Sequence, residues 1–341
     1  MKRNVIIIAE AGVNHDGSLE KALDLIDVAA DAGADYVKFQ TFKADKVVSP
    51  NAEKARYQKD NMGGSGNTQL EMLQKLEIEE FWYPLLIERC KERNIEFLST
   101  GFDEESIDFL NDLNIPFFKV PSGEITNRPL LEHVARKGKE VVLSTGMANL
   151  KEVEDALNVI ISHGLSRDDV TILHCNTEYP TLMDDVNLLA MLQIAKELNV
   201  KVGYSDHTLG IEVSLAAVAL GAKVIEKHFT LDRSFFGPDH AASLEPIELK
   251  ALVSGIRNVE MAISGSGIKE PSRSEEKNIL IARKSLYFKR NMCCGEQLGA
   301  TDLISLRPAN GISPMDIEKV IGKTLSKDVI AGSPVEWNQL T

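Results

Sequence analysis

Cysteine is scarce in this sequence, which has only Cys90, Cys175, Cys293 and Cys294 among its 341 residues. No two of these cysteines have the spacing of a zinc site, and a bridge between the adjacent Cys293 and Cys294 would be strained. The sequence therefore excludes a disulfide-rich scaffold, and we expect four reduced thiols in a cytoplasmic protein.

Long apolar runs are absent as well. The run that begins at Val5 stops at Glu10, which is too short for the apolar region of a signal peptide. No stretch approaches the roughly 20 apolar residues that a membrane-spanning helix needs. The net charge of −13 argues against nucleic acid or a membrane surface as a partner, although a locally basic pocket can still bind a small anion.

Short apolar runs rich in β-branched residues recur along the chain and alternate with segments of helical spacing. This pattern predicts parallel strands that are buried on both faces. Eight strand–helix units over roughly 230 residues fit a closed (β/α)8 barrel of the α/β class, and no GxGxxG motif follows the first run to support a dinucleotide-binding sheet. The predicted strands are Val5–Ala9, Tyr36–Phe39, Ile95–Leu98, Phe117–Val120, Val141–Leu143, Val170–Leu173, Val200–Tyr204 and Val224–Ile225.

The sequence divides into three parts. We predict a catalytic barrel over residues 1–265, a polar linker over 266–284 and a small domain over 285–341. The small domain would be marginal alone, so we expect it to pack on the barrel or on a second subunit. The segment from Lys43 to about Gln69 is long and carries Gly63–Gly66, which fits either an active-site lid or a flexible surface insertion.

Polar side chains follow the C-terminal end of every predicted strand, which is the face where barrel enzymes build their active sites. His207 and His228 follow two neighbouring strands, so they are candidate ligands of a divalent metal, with Glu10 close enough to assist. The competing interpretation is that each histidine is a hydrogen-bonded core residue. We favour the metal site because two such histidines occur together.

Lys38 and Lys119 lie within apolar strands, where an unpaired charge is costly. A bound phosphate would supply the missing anion, and hydroxyl groups at the strand ends would add hydrogen-bond donors. The alternatives are a Schiff-base lysine, as in a class I aldolase, and salt bridges within the protein. The groups involved are the hydroxyls of Ser99, Thr100, Ser122, Ser144 and Thr145 and the carboxylates of Glu10, Glu124 and Glu226.

Ten strings along the chain resemble motifs of the sialic acid synthase family, in the same order and over nearly the whole length. They are AEAGVNHDGS at 9–18, VKFQTF at 37–42, FLSTGFD at 97–103, FKVPSGE at 118–124, LSTGM at 143–147, LHCNTEYPT at 173–181, YSDHT at 204–208, IEKHFT at 225–230, GPDH at 237–240 and RPANGIS at 307–313. The resemblance implies a TIM barrel followed by an antifreeze-like (SAF) domain in a domain-swapped homodimer.

The same resemblance implies a set of site residues. His207 and His228 would hold the metal, which is expected to be Mn²⁺, with Mg²⁺ or Co²⁺ as alternatives. The expected catalytic residues are Glu10, Lys38, Lys119 and Glu124. Phosphoenolpyruvate would be bound by Lys38, Gln40, Thr100, Lys119, Ser122 and Ser144. The amino sugar would contact Glu124, Tyr179 and Asp239, while Arg307 would reach its N-acyl group from the partner's small domain.

The implied reaction joins phosphoenolpyruvate to an open-chain amino sugar and releases phosphate. We expect N-acetylmannosamine as the acceptor, giving N-acetylneuraminate. The alternative is 2,4-diacetamido-2,4,6-trideoxymannose, giving N,N'-diacetyllegionaminate. A class I aldolase and a non-catalytic sugar-binding protein remain as further hypotheses.

Overall fold

Eight parallel strands close into a barrel, which confirms the predicted (β/α)8 architecture. Each strand pairs with its neighbours in chain order, and β1 also pairs with β8 to close the ring. The strands are β1 (Ile6–Gly12), β2 (Tyr36–Thr41), β3 (Glu96–Gly101), β4 (Phe118–Val120), β5 (Val141–Ser144), β6 (Val170–Cys175), β7 (Lys201–Asp206) and β8 (Val224–His228). The computed structural model describes residues 5–54, 58–59 and 68–341.

Helices follow the strands and cover the outside of the barrel. They are α1 (Leu19–Ala32), α2 (Ala44–Val47), α3 (Gln69–Gln74), α4 (Trp82–Arg93), α5 (Glu104–Asp112), α6 (Arg128–Ala135), α7 (Leu150–Ser162), α8 (Leu189–Leu198), α9 (Glu212–Ala219) and α10 (Pro246–Ala262). Local signals set their ends. Ser18 caps α1 by accepting a hydrogen bond from the Lys21 amide, and Asn149 and Glu152 form a capping box at α7.

The strand register brings chemically active residues to one level of the barrel. Glu10 on β1 lies opposite Lys38 on β2 and opposite His228 on β8. The apolar residues of the strands and helices form one continuous core around this level. The core thus holds three neighbouring strand ends rigidly side by side.

The chain divides into two compact units, Met1–Gly265 and Ser266–Thr341. The second unit contains the antiparallel pair β9 (Ser285–Phe288) and β10 (Leu303–Leu306), and a core of its own around Phe288, Val320 and Val335. Two short helices complete it, α11 (Glu276–Ala282) and α12 (Ile317–Val320). Helix α11 lies in the stretch that the sequence predicted to be linker.

The predicted lid segment is described only in part. Helix α2 begins at Ala44 and α3 begins at Gln69, while residues 55–57 and 60–67, with the glycine run, lie outside the described residues. In the portion of the chain that the structure describes, no helix combines the length and apolar character needed to cross a bilayer.

Candidate active site

A cavity of about 520 Å³ opens at the C-terminal mouth of the barrel. It brings together most of the residues that the sequence predicted for the site, from all eight strands and the loops that follow them. The predicted residues that line it are Glu10, Lys38, Gln40, Thr100, Lys119, Ser122, Ser144, Tyr179, His207, His228 and Asp239.

Two predicted residues are not among those that line this cavity. Glu124 lies in the short 3₁₀ turn after β4, where its carboxylate accepts a hydrogen bond of 2.6 Å from the side-chain Nδ2 of Asn127. Arg307 is exposed in the second unit, directly after β10. The contact of Glu124 therefore fits a turn-stabilising residue better than one that faces a substrate.

The two buried lysines that line the cavity, Lys38 and Lys119, are paired with carboxylates of the protein. Lys38 Nζ lies 2.7 Å from Glu10 Oε2 and 3.6 Å from Glu226 Oε2, and it donates a 2.8 Å hydrogen bond to Thr100 Oγ1. Lys119 Nζ lies 3.4 Å from Glu226 Oε1. The salt-bridge interpretation is therefore correct for Glu10 and Glu226, and it is wrong for Glu124.

Glu226 also lines the cavity, although the sequence analysis did not select it as a site residue. The signal was available, because Glu226 and His228 are two residues apart on one strand and so point to the same face. Its carboxylate lies between Lys38 and Lys119 and accepts a 3.2 Å hydrogen bond from Ser205. Glu226 is thus the anion that holds both lysines in the barrel interior.

Burial and neighbouring charges give the carboxylates of Glu10 and Glu226 very different pKa values. Burial raises the pKa of Glu10 to about 7, because the opposing effect of Lys38 is smaller. Burial acts in the same direction on Glu226, but Lys119 and Lys38 outweigh it and hold the pKa of Glu226 at about 2. Near neutral pH, Glu226 is therefore a fixed anion, whereas Glu10 can take up and release a proton.

The pKa values of Lys38 and Lys119 are likewise shifted in opposite directions. Glu10 and Glu226 raise the pKa of Lys38 above its ordinary value, against the effect of burial. Burial lowers the pKa of Lys119, and Glu226 compensates only in part. Lys119 is therefore the cation that gains more from an additional anion in the cavity.

The hydroxyl groups around Lys119 are arranged to donate. The Ser144 hydroxyl is buried and has no hydrogen-bond partner among the described residues. Ser122 Oγ accepts a 2.9 Å hydrogen bond from the Gly146 amide and lies 3.1 Å from Cys175 Sγ, so its own proton can turn into the cavity. An oxyanion beside Lys119 would satisfy both hydroxyls.

His207 and His228 lie next to each other, with ring centroids 5.5 Å apart. Burial lowers the pKa of His207 to about 4 and that of His228 well below its usual value, so both rings are neutral at pH 7. His207 Nδ1 is hydrogen-bonded to the Asn176 carbonyl and must donate there, which leaves Nε2 with a lone pair. Both histidines therefore have the protonation state that a metal ligand requires.

The arrangement fits a divalent cation that is only partly enclosed by protein. His228 Nδ1 is buried without a hydrogen-bond partner in the described chain, and it lies 3.9 Å from Asp239 Oδ2. Across those same residues, no group of three or more His, Cys, Asp or Glu side chains is placed to hold a metal ion. A cation held by His207 and His228 would therefore take further ligands from water and substrate oxygens, as in an open catalytic site.

Asp239 is held in the cavity wall by the loop that follows β8. The adjacent His240 is hydrogen-bonded to Asp16 at 3.0 Å and to Thr230 at 2.7 Å, and Ser243 donates to the Asp239 carbonyl at 2.7 Å. Burial raises the pKa of the Asp239 carboxyl to about 6. A buried carboxyl of this kind that lines a cavity can donate a hydrogen bond to a hydroxyl or amide, or accept one from it.

Two family models match this chain. The model of the NeuB family matches residues 25–269, and the model of the SAF domain matches residues 283–341. The chain belongs to the NeuB family. The predicted resemblance to sialic acid synthases and the predicted SAF domain are thereby confirmed.

Two proteins that are similar to this NeuB-family chain are named as synthases. The N,N'-diacetyllegionaminic acid synthase of Campylobacter jejuni is 53% identical over 96% of this chain and 97% of that protein. The protein of the same name from Legionella pneumophila is 49% identical over 98% of this chain and 94% of that protein. Such similarity over the full length makes this chain an enzyme of the same class.

A solved structure also matches. The crystal structure of the N-acetylneuraminic acid synthetase from Leptospira borgpetersenii, in complex with citrate, has a TM-score of 0.71 and is 36% identical. The match covers 81% of this chain and 90% of that one.

One wall of the cavity in this NeuB-family enzyme is apolar and was not predicted. Val13 packs with residues from the α2–α3 region and from the end of β3 in a small cluster of its own. Sequence reasoning missed this wall because its members come from three separate loops. The apolar residues that line the cavity there are Val13, Val47, Met72, Leu73, Leu76 and Phe102.

Proposed function

We propose that this enzyme condenses phosphoenolpyruvate with 2,4-diacetamido-2,4,6-trideoxymannose, giving N,N'-diacetyllegionaminate and phosphate. The observation that carries this choice is the 53% and 49% identity to two N,N'-diacetyllegionaminic acid synthases, compared with 36% to the N-acetylneuraminic acid synthetase. N-acetylmannosamine, the acceptor that the sequence analysis ranked first, is therefore the less supported of the two.

The apolar wall supports the same acceptor. The trideoxy sugar carries a methyl group at C6, where N-acetylmannosamine carries a hydroxymethyl group. Moving a methyl group from water onto the surface of Met72 or Leu76 is favourable. Moving a hydroxyl group there is unfavourable, because it gives up hydrogen bonds to water and finds no partner on an apolar surface.

Phosphoenolpyruvate fits the basic end of the cavity. Its phosphate would pair with Lys119, whose lowered pKa reflects burial with incomplete compensation, and would accept hydrogen bonds from Ser122 and Ser144. Lys38, with Thr100 and Gln40 nearby, would orient the rest of the molecule. The donor would thus lie between the lysines and the histidine pair.

A divalent cation, Mn²⁺ or alternatively Mg²⁺ or Co²⁺, held by His207 and His228 would supply Lewis-acid polarisation of the acceptor aldehyde when bound. C3 of phosphoenolpyruvate forms a bond to the aldehyde carbon, and the aldehyde oxygen takes up a proton. C2, which gives up the C2=C3 π pair to the new bond, takes the oxygen of water, and that water loses one proton. The proton of the resulting C2 hydroxyl passes to the phosphate oxygen as its bond to C2 breaks, which leaves a ketone at C2 and free phosphate. Glu10 lines the cavity and has a pKa of about 7, so it would accept the proton of water.

The acceptor would lie between the histidine pair and the loop after β8. Tyr179 and Asp239 line this region and would contact the sugar. Glu124 is left out because it is not among the residues that line the cavity and its carboxylate is hydrogen-bonded to the side chain of Asn127. We also propose a domain-swapped homodimer in which Arg307 of one subunit completes the other subunit's site.

Phosphate release tests the function directly. The purified enzyme is incubated with phosphoenolpyruvate, Mn²⁺ and one of the two acceptors. We expect release with both and a kcat/KM at least tenfold higher for the diacetamido sugar, equivalent to about 1.4 kcal/mol. A preference for N-acetylmannosamine would overturn the acceptor, and no release with either would overturn the synthase.

The second candidate function is that of a class I aldolase, because a lysine with a lowered pKa, such as Lys119, can form a Schiff base with a carbonyl substrate. Treatment with borohydride in the presence of pyruvate decides between the two. A condensing synthase forms no imine, so we expect no pyruvyl adduct on Lys119 by mass spectrometry, and an adduct there would favour the aldolase.

A further inference from the structure

A buried ion pair lies directly behind the two histidines. Asp206, the last residue of β7, and Lys227 of β8 are cross-strand neighbours, and Asp206 Oδ2 lies 2.9 Å from Lys227 Nζ. Both residues are almost completely inaccessible, at 1% and 2% exposure. Because side chains alternate along a strand, this pair faces the surrounding helices while His207 and His228 face the cavity.

Every polar atom of this pair has a partner. Asp206 Oδ1 accepts hydrogen bonds from the Thr208 amide at 2.9 Å and from the Thr208 hydroxyl at 2.7 Å, and Asp206 Oδ2 accepts one of 2.6 Å from Ser214 on α9. Lys227 Nζ donates to the Thr208 carbonyl at 2.7 Å. The network therefore holds Asp206 and Thr208, the residues directly before and after His207, in fixed positions.

Stability alone does not explain this arrangement. A buried ion pair gains little net free energy over a well-packed apolar pair, because removing two charges from water is expensive. Tyr204 and Ile225, which lie two residues before Asp206 and Lys227 on the same strands and so share their face, are buried as well. The ion pair provides a directional link of fixed length between β7 and β8, which an apolar pair would not provide.

We propose that Asp206 and Lys227 are positioning residues that fix His207 relative to His228 for metal binding. The pair contacts the residue that follows His207 and includes the residue that precedes His228, so a shift in the link moves both imidazoles. This inference rests on the proposed metal site, and it deepens that proposal by naming what sets the geometry of the two ligands.

The test compares two double variants of the full-length enzyme, using Mn²⁺ alone as the probe. D206N/K227M removes both charges together and so avoids an unpaired buried charge, while the amide oxygen that D206N introduces still accepts from Thr208. D35N/R257M is the matched control, because Asp35 and Arg257 form a 2.6 Å ion pair just before β2, at the opposite end of the barrel. Free Mn²⁺ is followed by electron paramagnetic resonance, and the melting temperature is recorded for each protein.

We expect D206N/K227M to bind Mn²⁺ about tenfold more weakly, which is the usual scale for loss of a group that orients metal ligands. The control should keep the wild-type dissociation constant even if its melting temperature falls as far. Wild-type Mn²⁺ affinity in D206N/K227M would overturn the proposal, whatever happens to its melting temperature.

Two further measurements keep the outcomes distinct. If D206N/K227M does not fold, S214A replaces it, since it keeps both charges and loses only one hydrogen bond to Asp206. We expect S214A to shift the imidazole ¹⁵N resonances of His207, and unchanged resonances would contradict the positioning role. If H207Q/H228Q still binds Mn²⁺ as the wild type does, the metal site itself is wrong and this inference falls with it.

Discussion

The ring of Tyr179 lies stacked on the imidazole of His207, with centroids 4.1 Å apart and the planes 28° from parallel. The same ring presents its edge to His228, at 5.6 Å between centroids. One aromatic side chain from the loop after β6 thus contacts both candidate metal ligands and lines the cavity. Tyr179 therefore supports both histidines, and it would also form a wall for the proposed acceptor.

Tyr179→Ala removes this stacking surface, and Tyr179→Phe keeps it. Aromatic pairs of this kind contribute about 0.5–1.5 kcal/mol, so we expect Y179A to weaken Mn²⁺ binding by roughly three- to tenfold, while Y179F stays within about twofold of wild type. Isothermal titration with Mn²⁺ measures both. Equal losses in the two variants would show that the phenol hydroxyl, and not the ring, matters.

Lys38 and Lys119 should differ when each is replaced by Met. K38M leaves Glu10 and Glu226 without their shared cation, so we expect a loss of about 3 kcal/mol in the free energy of unfolding. K119M should cost less, because Lys38 remains 3.6 Å from Glu226, but it should raise the KM for phosphoenolpyruvate strongly. Urea unfolding and steady-state kinetics test the pair. A K119M protein as unstable as K38M would contradict this account of the cluster.

Gly146→Ala should disturb the proposed phosphate end of the cavity. A Cβ atom at this position would lie 2.5 Å from Thr177 Cγ2 and 2.9 Å from Ser122 Oγ, so Ser122 has to move. We expect a rise in the KM for phosphoenolpyruvate of tenfold or more, with a smaller change for the sugar. Gly265→Ala is the control, because its added Cβ atom has no neighbour within 4 Å, and it should leave the KM for phosphoenolpyruvate unchanged. An unchanged KM in G146A would argue that Ser122 does not contact the donor.

His15 should make stability depend on pH. Burial lowers the pKa of this completely inaccessible imidazole from 6.5 to about 4, so the unfolded chain binds the proton more tightly than the folded chain does. Stability should therefore be complete above pH 6.5 and fall as pH drops toward 4, with about 2 kcal/mol lost from this group between pH 7 and pH 5.

The matched variant for this effect is His15→Asn, which keeps an acceptor for the Gly17 amide, now hydrogen-bonded to His15 Nδ1 at 3.1 Å. Its unfolding free energy, measured in urea at the same two pH values, should fall by about 2 kcal/mol less than that of the wild type. Parallel losses in the two proteins would mean that His15 remains neutral in the unfolded chain or charged in the folded one.

Arg307 should act on the partner subunit if the dimer is domain-swapped. R307A and H207Q are each expected to be nearly inactive alone. Refolding an equal mixture of the two should restore activity to about one quarter of the wild-type sites, because half of the dimers are then mixed and each mixed dimer contains one intact site. No recovery would contradict the exchange, since Arg307 would then serve its own subunit or none.

Several features followed from the sequence alone. The alternation of buried strands with helices predicted the barrel, and the polar residues after each strand predicted which end holds the site, because both patterns depend only on local periodicity. Lys38, Lys119, His207 and His228 were found in this way, and the motif strings identified the family.

Tertiary structure decided which of these residues meet. Strand alternation gives the direction of a side chain but not its partner across the barrel, so the pairing of Lys38 with both Glu10 and Glu226 became visible only in the fold. Glu124, which the resemblance implied as a site residue, lies in the turn after β4 ends at Val120 and is not among the residues that line the cavity. The sequence also did not reveal the buried ion pair between Asp206 and Lys227. The two residues lie on strands that are separated along the chain by helix α9 and become neighbours only in the folded barrel.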